Sequence, residues 1–381
     1  MTADGAPLRR ARLARLRKAM SEAALDALVL THAGSVRYAT GAVPVHGDSS
    51  VEAARPFAAV VTPRSVYVLG VEPEWVPSDI EAAPMPRTSR AVAQTLVDLL
   101  GSARAVGLER LPFATGAALE AALPGARCTS ADVAVLAARA IKTPEEVALL
   151  HEAQRLNEAA VAEVLPAIVP GVREVELTGR FLAAMAHRGV TACHVEPLWC
   201  VFPRRRADAP WSFPGGVPYR ELPSTRQLAA GDQVMIDTGM LHAGYLSDVG
   251  CTWSCGGEPA AADRALRARW QEIVDAVRAA CRPGATGADL HRAARRVTGA
   301  DGPAPWPVPL YLAHGLGIGG VEPPFIGTDL GLAAEERMIL APGMVLVLEP
   351  CAWEEGLGAY RAEQALVVTP SGHELLSAPP P

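Results

Sequence analysis

Lysine is almost missing from this chain. It occurs only at positions 18 and 142, and the other basic residues among the 35 are arginine. Against 41 acidic residues the net charge is −6, so the positive excess needed to neutralise a nucleic-acid backbone is absent. The seven cysteines form no CxxC pair and are odd in number, which excludes a disulfide framework and suits a reducing compartment. No apolar run approaches the roughly 20 residues that a membrane-spanning helix needs. The twin arginine of "LRRARLARLRKAMSEAALDALVL" is followed by a short apolar segment broken by Asp26, with no small-residue cleavage pattern after it. That stretch reads as an amphipathic helix leading into a strand at 27–31. A cytoplasmic protein with neither a nucleic-acid nor a membrane partner is the expectation. Gly-rich phosphate loops are also missing, because "GLGIGG" (315–320) runs into "VEPP" rather than into a helix.

What is present is a globular composition, 50% hydrophobic over 381 residues, long enough for two domains. From Leu8 to about Ser130, the strand candidates "DALVLT", "FAAVVT", "VYVLG" and "AVGLE" alternate with helix candidates at 8–23, 89–101 and 114–123. This alternation predicts an α/β domain with a mixed or parallel sheet, spanning 1–135. A second domain, 136–381, is entered through "KTPEEVALL", where Thr143, Pro144 and Glu146 make a capping box. Further helices are expected near 173–188, 259–281 and 286–298, and strands near 233–254, 344–351 and 359–369.

Two strand pairs in that second domain carry acids where apolar residues would be expected. In "VMIDTGMLHAGYLSD" (234–248) a turn centred near His242–Ala243 would set Asp237 directly opposite Asp248. In "GMVLVLEPCAWEEGLGAYRAEQALVV" (343–368) Glu349 and Glu363 are symmetric about Gly356, in strands whose other positions are Val and Leu. Like charges opposed across a sheet are destabilising, and buried carboxylates need compensation. Four carboxylates together with the imidazole of "YLAHGLGIGG" suit two divalent ions, Mn²⁺ first, with Fe²⁺, Co²⁺ or Zn²⁺ as alternatives. Two such ions can activate a water at neutral pH.

These segments resemble the pita-bread metallopeptidase family, which includes Xaa-Pro dipeptidase, aminopeptidase P, methionine aminopeptidase and the non-peptidase creatinase. "ALDALVLTHAGSVRYATG" is similar to the start of a creatinase-type N-terminal domain, and "IKTPEEVALLHEA" to the entry of the catalytic domain. The ligand-bearing segments are "IDTGMLHAGYLSDVGCT", "AHGLGIGG", "VLVLEP" and "YRAEQALVVT". The resemblance implies an α/β creatinase-like N-terminal domain and an α+β pita-bread catalytic domain. It implies that Asp237, Asp248, His314, Glu349 and Glu363 bind two metals, with Glu349 shuttling a proton and Arg361 orienting Glu363. A homodimer is implied on the same ground.

The family pattern HGxGxxxHExP departs here to "HGLGIGGVEPP", so Val321 replaces a catalytic His while Glu322 is kept on the substrate side. A further family His, before the Asp strand, falls near Arg220 or Tyr219. Loss of such donors predicts weak cleavage of ordinary Xaa-Pro dipeptides unless another group, such as His194, takes over. Arg204, Arg205 and Arg206 in "FPRRRADAPW", with Arg220, are candidate anchors for a substrate carboxylate, since guanidinium forks fit planar anions. Cys251 reads as an inert buried thiol. The expected activity is hydrolysis of an amide or other C–N bond in a small carboxylate-bearing molecule or dipeptide. The alternatives are a metal-dependent lyase or specialised biosynthetic hydrolase, and a non-catalytic binding protein.

Overall fold

Short apolar runs with nothing polar inside them form the centre of the first unit's sheet. A computed structural model of the chain describes residues 5–43, 57–71, 73–84, 86–190, 192–194, 197–208, 223–297 and 311–380. It divides into two units, Met1–Arg139 and Ala140–Pro381. In the first, α1 (Ala6–Glu22) precedes β1 (Ala27–Leu30), and α2 (Ala33–Thr40) ends at Gly41, whose φ of +71° supplies the left-handed stop. There follow β2 (Ala58–Val61), β3 (Val66–Leu69), β4 (Glu81–Ala83), α3 (Ser89–Leu100), β5 (Ala105–Leu108), α4 (Phe113–Ala122), β6 (Arg127–Ser130) and α5 (Asp132–Ala140). The six-stranded sheet has the order β4-β3-β2-β1-β5-β6. It is mixed, because β1 is antiparallel to β2 and parallel to β5. Every residue of β1 and β2 is buried, as expected for strands covered on both faces. The four strands read from the sequence are all present, and β4 and β6 are additional edges.

The second unit opens as its sequence predicts. Thr143 Oγ1 accepts from the Glu146 N–H, and the Glu146 carboxylate accepts from the Thr143 N–H, starting α6 (Pro144–Val164). Then come α7 (Glu174–His187), β7 (Leu198–Val201), β8 (Gln233–His242), β9 (Tyr245–Ser254), α8 (Ala261–Ala280), α9 (Gly287–Val297), β10 (Ala313–Gly317), β11 (Gly320–Ile326) and α10 (Leu332–Glu335). The chain closes with β12 (Val345–Leu348), β13 (Cys351–Glu354), β14 (Gly358–Arg361), β15 (Gln364–Thr369) and β16 (Gly372–Leu375). The sheets are antiparallel, β7-β8-β9, β11-β10-β12-β15-β16 and the pair β13-β14. One apolar core joins α6, α7, α8 and α9 to the sheet face that carries Ile236, Met240, Leu346 and Leu348. The acids of the same strands therefore lie on the opposite face. No described helix is long and apolar enough to cross a membrane.

The β8–β9 register corrects the one expected from sequence. His242 pairs with Tyr245, so the turn is Ala243–Gly244, with φ of +49° and +84°. A two-residue hairpin turn of this type needs positive φ at both positions, and Gly244 provides one without strain. Asp237 consequently faces Gly250, and Asp248 faces Gly239. The two carboxylates are diagonal rather than directly opposed. They still share a face, because the pairing has moved by two residues.

Candidate metal centre

Glycine opposite each aspartate leaves space on the acid face of the hairpin, and Glu363 occupies part of it. A Cβ at Gly250 would stand 2.5 Å from Glu363 Oε1. Glu363 is held there by its own N–H, which donates to Gly250 O at 2.9 Å. The pairs Leu348↔Gln364 and Cys351↔Arg361 bracket Glu349 and Glu363, which therefore fall opposite each other as the sequence symmetry predicts. Oxygen atoms of Asp237, Asp248 and Glu363 all lie within 4.8 Å of one another. His314 Nε2 is 3.3 Å from Asp248 Oδ2 and 3.0 Å from Glu349 Oε1. All five expected ligands thus converge on one place.

Buried amides and hydroxyls steady the hairpin from behind. From α6, Gln154 donates through Nε2 to Asp248 O at 3.0 Å and accepts the Asp248 N–H at 3.1 Å. Asn157 Nδ2 donates to Thr238 O, and its Oδ1 accepts from Thr238 Oγ1. The Tyr245 hydroxyl donates to Glu146 Oε1 at the helix start. These bonds fix the backbone from which the aspartates project. Composition and periodicity pointed to none of them. The signal that could have found them was polar residues at core positions of α6. His314 Nδ1 is 3.0 Å from Gly315 O. A carbonyl can only accept, so Nδ1 carries a proton, and Nε2 is the nitrogen that faces the acids and would give its lone pair to an ion on losing its own proton.

Among the described residues, Arg361 is the one guanidinium inside the cluster. Its Nη1 lies 2.9 Å from Asp237 Oδ2, and its Nη2 pairs with Glu363 Oε1 at 2.7 Å and with Glu349. It contacts three acids rather than only the expected one. Burial and the Asp248 charge, against the opposing Arg361, raise the Glu363 pKa well above the carboxylate range. Burial alone would also raise Glu349, but Arg361 and His314 outweigh it and lower it. Burial would lower His314, yet Glu349 and Asp248 overcome that and hold it well above an ordinary histidine. Neither Glu363 oxygen makes a hydrogen bond of good geometry. A buried carboxylate among three others, with only an ion pair to an arginine that two of those acids also share, is an unfavourable arrangement unless a further cation enters. Five oxygen and nitrogen donors on rigid strands fit a divalent ion.

The comparisons with known proteins agree. The model of metallopeptidase family M24 matches residues 148–370, and that of the creatinase/prolidase N-terminal domain matches residues 12–141. The chain belongs to metallopeptidase family M24. It is a metal-dependent hydrolase with a creatinase-type N-terminal domain followed in sequence by the family's pita-bread catalytic fold. It is 26% identical to the uncharacterized peptidase YqhT of Bacillus subtilis, over 97% of this chain and 98% of that protein. It is 27% identical to the Xaa-Pro dipeptidase of Pyrococcus furiosus over 63% of each chain. Dipeptidase PepE from Mycobacterium ulcerans shares the fold, with a TM-score of 0.79 at 24% identity, covering 100% of this chain and 98% of that one.

The remaining candidate residues of this M24 chain are placed as follows. Val321 is half-buried and pairs with Leu316 across β10–β11. Glu322 is buried and ion-paired with Lys142, both side chains 2% exposed. Its carboxylate is engaged inside the protein rather than presented to a substrate. Arg204 is likewise engaged internally, its Nη1 donating to Leu357 O at 2.6 Å and lying 3.2 Å from Asp263 Oδ1. Arg205 is exposed, 3.8 Å from Asp208. The Arg206 side chain and all of Arg220 lie outside the described residues. Burial and the nearby Glu363 push the Cys251 thiol up to about 12, which makes it inert. Exposed His194 has its pKa lowered by partial burial, with the Asp248 charge opposing.

Proposed function

We propose that this M24 hydrolase is dinuclear and cleaves the amide bond of small carboxylate-bearing substrates, dipeptides foremost. The observation that carries the reading is the buried Glu363 carboxylate, packed among three further acids with Arg361 shared between it and two of them. Two divalent ions, with Mn²⁺ the first candidate, would be held by Asp237, Asp248, His314, Glu349 and Glu363. Bound there, they supply Lewis acidity and a water acidic enough to lose its proton near neutral pH. Among the described residues, four carboxylates against Arg361 leave three negative charges. Two divalent cations exceed that by one, and a hydroxide or a substrate carboxylate balances the surplus.

The protein's own groups then have separable tasks. Arg361 fixes the orientation of Glu349 and Asp237. Glu349 Oε1, facing His314 Nε2, takes a proton from the attacking water and returns it to the leaving nitrogen. The hydroxyl stays on the carbonyl carbon, the C–N bond breaks, and an acid and an amine leave. The apolar cluster of Leu198, Phe202, Met235, Cys351 and Ala359 flanks the acids and keeps the local dielectric low. Of the candidate arginines with described side chains, Arg205 is the exposed one.

Metal content and hydrolysis of a dipeptide panel test this reading. Wild type should hold two divalent ions, and Asp237→Ala and Glu363→Ala should lose tight binding and turnover together. Chelation should lower the melting temperature, because ions that bind only the folded state stabilise it by about 3–4 kcal/mol at 100–1,000 times Kd. A protein that takes up no metal and melts identically in chelator contradicts it.

A further inference from the structure

His194 is an imidazole that the carboxylate cluster does not use. Its backbone N–H donates to Gly239 O at 3.0 Å, and its neighbour Cys193 bridges Met240. His194 therefore extends the ladder beside β8 at Gly239, and Gly239 pairs on its other side with Asp248. Cys193 packs on the helix-side core with Met240, which turns His194 to the acid face. His194, Gly239 and Asp248 form a row across three chain segments in which the middle residue has no side chain. Two strand spacings, about 9–10 Å, separate the outer two. The floor between them is bare backbone. A second glycine clears the ring's other side, since a Cβ at Gly320 would stand 3.0 Å from His194 Cε1. The ring is exposed, and no described residue hydrogen-bonds to its nitrogens. β11 offers no side-chain donor of its own, because it reads GVEPPFI and its Glu322 is held by Lys142.

We propose that His194 contacts the substrate, its imidazole donating a hydrogen bond to the scissile carbonyl oxygen above Gly239 from the side opposite Asp248. This deepens the hydrolase reading and rests on it. An amide laid over Gly239 has the acids and their cations on one side and a fixed donor on the other. As the carbonyl carbon becomes tetrahedral, charge gathers on its oxygen, and a donor already in place strengthens at that moment. Because that gain belongs to the transition state, the effect falls on kcat rather than on KM.

The test uses manganese-loaded wild type, His194→Ala, His194→Gln and Gly320→Val. Calorimetry measures binding of a phosphinic analogue of Ala-Pro, and kinetics follow the best-cleaved member of a dipeptide panel. His194→Ala should weaken analogue binding and lower kcat by about 10²-fold, the scale of one lost transition-state donor. KM, metal content and melting temperature should stay at wild-type values. His194→Gln, which keeps an N–H, should recover about tenfold, and Gly320→Val should match His194→Ala by displacing the ring. A His194→Ala variant that binds and turns over like wild type overturns this assignment and leaves the hydrolase reading standing. A metal-loaded wild type that neither binds the analogue nor cleaves any dipeptide overturns both.

Discussion

Glu322 and Glu363 are both buried glutamates of the catalytic unit, 2% and 4% exposed. Glu322 has a lysine of its own, one of only two in the chain, and its carboxylate fills the space beside Gly317, where a Cβ would stand 2.5 Å away. Glu363 fills the space beside Gly250 in the same manner, but the groups around it are Asp237, Asp248 and Glu349, with Arg361 shared among three acids. Equal burial therefore has opposite meanings. One glutamate is neutralised by a lysine of its own, and the other shares one arginine with two further acids, which is why it is the proposed metal ligand.

Removing the internal cation is the sharpest way to break this contrast. Lys142→Met removes the buried cation from Glu322 and should destabilise the protein by about 3–5 kcal/mol, while metal stoichiometry remains that of wild type. The double variant Lys142→Met, Glu322→Leu should regain most of that loss in denaturant unfolding. If Lys142→Met instead emptied the metal site, the two glutamates would belong to one network and the distinction would fail.

A smaller effect is expected from the support behind the aspartates. Gln154→Ala removes both side-chain bonds to the Asp248 backbone and should weaken metal binding by about 10–100-fold, as loss of outer partners does at other metal sites. Competition with a metal indicator measures this directly. Unchanged affinity would show that the hairpin alone sets the aspartate positions.

The smallest effect is on pH dependence. Glu363 and His314 both have raised pKa values in the metal-free protein. The folded chain thus keeps protons that the unfolded chain has released above about pH 4.3 for the glutamate and 6.5 for the histidine. Their stabilisation is complete below those values and is lost as pH rises through the folded ones. Metal replaces those protons, so the melting-temperature gap between manganese-saturated and chelated protein should widen from pH 5 to pH 8. A constant gap over that range would show that neither proton competes with the ion.

Much of the fold was legible because its strongest signals are local. The capping box at Thr143–Glu146, the fully apolar strands Ala27–Leu30 and Ala58–Val61, and the symmetry of Glu349 and Glu363 about Gly356 each need only neighbouring residues to be read. The edge strands Glu81–Ala83 and Arg127–Ser130 were not legible, since edges carry exposed polar residues and lose the apolar signature. The turn at Ala243–Gly244 was displaced by one position because backbone φ, and not symmetry between acids, decides where a hairpin closes.

The amino-acid sequence by itself determined which side chains could form the centre: four acids and one histidine, in strands where apolar residues should be. Tertiary structure decided what each of them does. It assigned Glu322 to Lys142 and Arg204 to Asp263, shared Arg361 among three carboxylates, and set His194 beside Gly239 and Gly320. The physical reason is that a charge takes its role from the partners within a few ångströms of it, and those partners come from distant parts of the chain.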